Sequence, residues 1–198
     1  MKLATVIGIM GVLLIFPGAA ADLKGGVGPS TPIDDGRSLT ALRRAAASGN
    51  AEAQRRLGFR YYHGEGIAQD NAQAVALFEK AAAGGDTESA SNLGRMYEFG
   101  MGVKQDDHRA AEWYRRAAEL GEPSSQFRLS VMYYQGQGVA RDRVEAAKWW
   151  NLAMAQGGEF TARIRASVES AEGKLTPEEI AEGKQRAALW LKLGNGKQ

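Results

Sequence analysis

Between residues 57 and 158 the apolar positions recur with a fixed rhythm. Leu57 and Tyr61 are followed by Gly64 and Gly66, then Asp70, then Ala74, Leu77, Phe78, Ala81 and Ala82. Leu57, Gly58 and Tyr61 share one face of a helix, so the first group predicts an amphipathic helix. The second group is spaced i, i+3, i+4, i+7, i+8 and predicts another. The same succession restarts at Leu93 and at Leu129, 36 residues apart each time. Leu, Tyr, both glycines, Asp, two alanines and a closing glycine (Gly85, Gly121, Gly157) hold identity through all three copies. A period of this length marks stacked helix–turn–helix units and an all-α fold.

Local signals complete each unit. Asp70, Asp106 and Asp142 stand where the second helix needs an N-cap, with Gln73 and Glu145 at the reciprocal capping-box position. Gly85, Gly121 and Gly157 fall where a left-handed C-cap is wanted. The Gly-x-Gly of "YYHGEGIAQD" lacks the third glycine of a dinucleotide fingerprint, so it reads as an inter-helix turn rather than a phosphate cradle. Gly58 and Gly94, with Ser130 in the third copy, keep a small residue inside the first helix, which predicts close helix packing. Upstream, Asp34, Ser38, Leu42, Ala45 and Gly49 lie 36 residues before Asp70, Ala74, Phe78, Ala81 and Gly85, a lone second helix. Downstream the phase fails, and residues 159–193 read as a C-terminal cap. Its last helix opens with Thr176 as N-cap, Pro177 at N1 and Glu179 closing a capping box.

The stretch 93–121 meets the pattern L-G-x-x-Y-x-x-G-x-G-V-x-x-D followed by A-x-x-W-Y-x-x-A-A-x-x-G, and residues 34–158 as a whole resemble the Sel-one-like repeat family. This family is a relative of the tetratricopeptide repeat with a longer inter-helix loop. The resemblance implies a right-handed α-solenoid whose first helices line a concave groove for a partner segment. Its layout is a half repeat at 34–50, repeats at 51–86, 87–122 and 123–158, and capping helices with a tail at 159–198. Carried over by the alignment, the outward groove positions include Arg55, Phe59, Tyr62, Arg95, Phe99, Phe127, Val131 and Tyr134. The scaffold does not dictate these residues, and aromatics with interspersed arginine are what interface hot spots favour.

Composition adds a location. Lys2, an apolar run at 3–16, a Pro17-Gly18 break and small residues at 19–21 make a signal peptide with cleavage after Ala21 or Ala20. The rival is an uncleaved anchor, but this run falls short of the roughly 20 residues a span needs. Residues 22–33, rich in Gly, Pro, Ser and Thr, read as a flexible linker. The chain has no cysteine, so an exported product folds without disulfides and carries no cysteine-linked lipid. A formal charge of +2 leaves no nucleic-acid footprint.

The inventory of chemistry is short. His63 and His108 occupy different places in the repeat and lack ligand spacing, so neither a metal nor another cofactor is expected. No nucleophile elbow, zinc-protease or Walker motif occurs. Trp113 and Trp149 share one place in the buried stripe and Trp150 the place beside it, which favours packing over glycan stacking. The expectation is an exported, periplasmic or secreted, non-catalytic scaffold, adaptor or regulator that binds another protein. The alternatives are a secreted factor acting on host proteins and a peptidoglycan- or glycan-associated protein.

Overall fold

The computed structural model describes residues 37–194; the leader, the linker, Asp34 of the half repeat and residues 195–198 lie outside them. The chain divides into Met1–Asp34, outside the described residues, and Asp35–Gln198. The described residues form helices throughout, with no strand among them: α1 (Arg37–Ala47), α2 (Ala51–His63), α3 (Asn71–Ala83), α4 (Thr87–Phe99), α5 (Asp107–Glu119), α6 (Pro123–Gln135), α7 (Arg143–Ala155), α8 (Gly158–Glu172) and α9 (Pro177–Lys192). The first helices of the three repeats (A helices) are α2, α4 and α6; the second (B helices) are α3, α5 and α7, with α1 an unpaired B helix before them. Each A helix packs on the B helix before it and on its own B helix, giving a two-layered α-solenoid.

Caps set the boundaries. The Asp70, Asp106 and Asp142 carboxylates accept the amides of Gln73, Arg109 and Glu145 at 3.0, 3.0 and 2.9 Å. The reciprocal bond of a capping box forms only at Thr176 and Glu179 among the described residues. The expected box at Glu145 is absent because its carboxylate turns instead to Lys148, 2.7 Å away, and to Arg186 of α9. Each A helix ends in a left-handed glycine, Gly64, Gly100 or Gly136, whose amide reaches back to the last turn.

The second glycine of the Gly-x-Gly has a separate task in the second and third repeats. A Cβ on Gly102 would run into the main chain of Asn71, and one on Gly138 into that of Asp107. The inter-helix turn of one repeat therefore sits on the start of the B helix before it, at a distance only glycine permits.

Inside the stack, small residues receive large ones. A Cβ on Gly58 would lie 2.8 Å from the Phe78 ring, and one on Gly94 2.6 Å from the Tyr114 ring. Ala74, Ala110 and Ala146 are fully buried, as are Leu93 and Leu129. Trp149 and Trp150 are buried as the stripe predicts, whereas Trp113 is half-buried under the Arg116 guanidinium. At about 25 cal/mol per Å² of apolar surface, such aromatic burial supplies much of the folding free energy.

The C-terminal helices depart from the repeat. α9 runs along α7, whereas α8 touches α7 only lightly. The contact turns on Gly183, where any Cβ would collide with Ala147, and on the Trp149 and Trp190 rings, edge to face at 6.0 Å. Arg143 with Glu179, and Arg186 with Glu145, flank it.

Candidate functional site

The A helices carry the eight expected residues on one face, and the structure sorts them into three groups. Arg55 is engaged within the chain: its guanidinium pairs with Asp86 at 3.1 Å and with Glu88. Both acids open α4, so Arg55 ties the first repeat to the second at a helix N-terminus. Phe127 is 8% exposed and lies against Phe160 of α8, ring centroids 6.3 Å apart. Val131 packs partly on the same cluster. α8 thus closes over the C-terminal end of the A-helix face.

The remaining five stay accessible. Phe59 is half-buried, edge-on to Phe78 at 5.1 Å and stacked with His63. Tyr62 bridges two repeats: its hydroxyl donates to Met101 Sδ at 3.5 Å and accepts from Arg95 Nη2 at 3.5 Å. Phe99 is 44% exposed, with the Arg128 guanidinium 6.0 Å from its ring centroid. Tyr134, half-buried, lies between the Trp150 ring and the Arg141 guanidinium, 5.9 Å from its centroid. The Arg95–Tyr62 hydrogen bond and the Arg128 guanidinium on the Phe99 ring each span neighbouring repeats.

A carboxylate beneath this surface was absent from the expected set. Glu98 is 12% exposed; it accepts from Tyr114 Oη at 2.6 Å and lies 3.6 Å from Arg128 Nη1. Burial, and then the Glu98 charge, push the Tyr114 phenol well above its ordinary value, so it stays a hydrogen-bond donor. The Tyr114 ring also fills the space over Gly94. This one side chain therefore couples the core of the second repeat to Glu98 and, through it, to Arg128 in the third. Glu98 shows in sequence only as an outward-facing acid, and Arg128 is not among the outward positions that the repeat alignment gives.

Among the described residues no group of three or more His, Cys, Asp or Glu is placed to hold a metal ion. No described helix is long and apolar enough to cross a membrane. Two surface depressions flank the aromatic set, the first bordered by Arg141, whose guanidinium also lies on the Tyr134 ring. One is lined by residues 141–144 and Glu179, the other by α1, Asn50 and α2 as far as Arg60.

A family model described as "Sel1 repeat" matches residues 51–86, 87–122 and 123–158, together more than half of the chain. No curated protein sequence matches it. Among solved structures, a Sel1 repeat protein from Oxalobacter formigenes is 40% identical, with a TM-score of 0.59, over 64% of this chain and 96% of its own. The c5321 protein, a protective antigen of uropathogenic Escherichia coli, is 36% identical with a TM-score of 0.64. That match spans 77% of this chain but only 33% of c5321. Cysteine-rich protein B of Helicobacter pylori shares the fold at 22% identity and a TM-score of 0.51, over 69% of this chain and 99% of its own.

Proposed function

This chain belongs to the Sel1 repeat family, and from that premise we propose that it is an exported scaffold or adaptor that takes a segment of another protein on the concave face of its A helices. Sel1 repeat proteins are in general non-catalytic scaffolds for protein interaction. The residues at 1–21 support export to the periplasm or beyond.

The observation that carries the reading is the run Phe59, Tyr62, Phe99 and Tyr134 across three successive A helices. The repeat pattern requires none of these aromatics, and packing leaves all four at least partly open. Phe99 is the extreme case at 44% exposure. Large, stiff aromatic rings lose little conformational entropy on binding, which suits them as anchors for a partner segment.

The test is co-purification from an envelope fraction, with the mature chain as bait beside a Tyr62→Ala/Phe99→Ala/Tyr134→Ala variant. Circular dichroism establishes that the variant is folded. A partner kept by the wild type and lost by the variant supports the reading. Identical sets of retained proteins would move the interaction to another face.

A further inference from the structure

The acids of the A-helix face are already committed. Glu88 pairs with Arg55. Glu98 is held by Tyr114 and faces Arg128. Glu122 caps α6, accepting from the Ser124 amide at 3.0 Å and from Ser91 Oγ at 3.2 Å. Glu52 lines the end groove between α1 and α2 instead.

The cations divide differently. Arg55 has two carboxylates and Arg128 shares Glu98. Arg95 meets a neutral phenol, that of Tyr62, and no carboxylate among the described residues. A guanidinium has five donors in a planar fork, and one contact of 3.5 Å leaves most of them open to a partner. One turn further along α4 stands Phe99, on the same side of the helix at i+4.

Resting on the reading above, we propose that the bound segment presents a carboxylate side chain next to a large apolar one. The carboxylate pairs with Arg95, and the apolar group covers Phe99. Arg128 shares Glu98, whereas Arg95 brings to the centre of the face a cation that meets no carboxylate among the described residues. One such guanidinium suits one carboxylate better than a run of phosphates, and the adjoining ring suits a peptide side chain. Tyr62 and Tyr114 hold the polar partners in place: one buttresses Arg95, and the other fixes Glu98 so that it does not turn outward to neutralise Arg95.

The experiment uses the full chain on a peptide array in which Glu, Gln or Lys alternates beside Leu or Phe. Peptides with Glu are expected to bind about tenfold more strongly than their Gln counterparts, the scale of one charge-assisted hydrogen bond. Arg95→Gln should abolish that preference while leaving residual binding of both sets. Phe99→Ala should weaken every set. A preference for Lys, or a Glu preference that survives Arg95→Gln, overturns the proposal while the groove reading stands. A folded wild-type chain that retains no peptide of any class overturns both.

Discussion

The helices at the two ends of the array carry different chemistry from the same helices inside it. Met96 and Met132, exposed by 1% and 2%, each have an A helix before them to pack against. At the matching place in α2, the first A helix, stands Arg60, half-buried. At the other end, Leu93 and Leu129 correspond to Arg165 of α8, and Tyr97 to Glu169, both exposed. α8 still buries Ile164 and Val168 on its inward side. The backbone is helical in every case, so the apolar pattern of a repeat reports its neighbours rather than its helicity. A stack of this kind stops growing where charge replaces the leucine and the methionine.

Exchanging the two chemistries tests this directly. Met132→Arg would bury an unpaired charge and should cost about 4 kcal/mol or more in urea unfolding. Arg60→Met should change stability by less than about 1 kcal/mol; equal losses from the two variants would break the comparison. Next in size is Gly183→Leu, which forces α9 from α7 at a cost of about 1–3 kcal/mol. Tryptophan emission should shift to the red as Trp149 and Trp190 part.

The pH response sharpens the same contrast from inside. Tyr114 has a raised pKa, and its phenol is neutral when protonated. Its contribution is therefore complete below the unfolded value of about pH 10 and is lost as the pH climbs toward the folded value. Stability should fall with rising pH above about 10, and Tyr114→Phe should flatten that fall. The smallest effect belongs to the end: Arg165→Leu should alter stability by about 0.5 kcal/mol or less. The added apolar surface should instead appear as self-association in sedimentation.

The repeated part of the molecule was legible because each A or B position is written three times. Leu57, Leu93 and Leu129, for example, average out local accident. Interactions written once were not. Gly183 looks in sequence like a weak point in a helix, and nothing marks Ala147 as its partner, so the docking of α9 on α7 had no signal. Arg55 read as a free cation because its acids, Asp86 and Glu88, open a helix of the next repeat. Phe127 matched the outward positions of its sisters, yet Phe160 of α8 covers it, a contact made once that the period does not record. A site on a solenoid face thus depends on which neighbour is present, and the repeat alone does not record that.

The turns of the second and third repeats grip the B helix before them: Gly102 lies on Asn71 and Gly138 on Asp107. The grip points backward only. A chain that folds as it emerges N-terminus first therefore leaves each B helix unlatched until the following repeat arrives. No repeat turn follows α7, and Glu179 of α9, near Arg143 at 3.8 Å, takes that place. α9 is thus the clasp on the third repeat, and a chain stalled before residue 177 would carry the three repeats with an open final link.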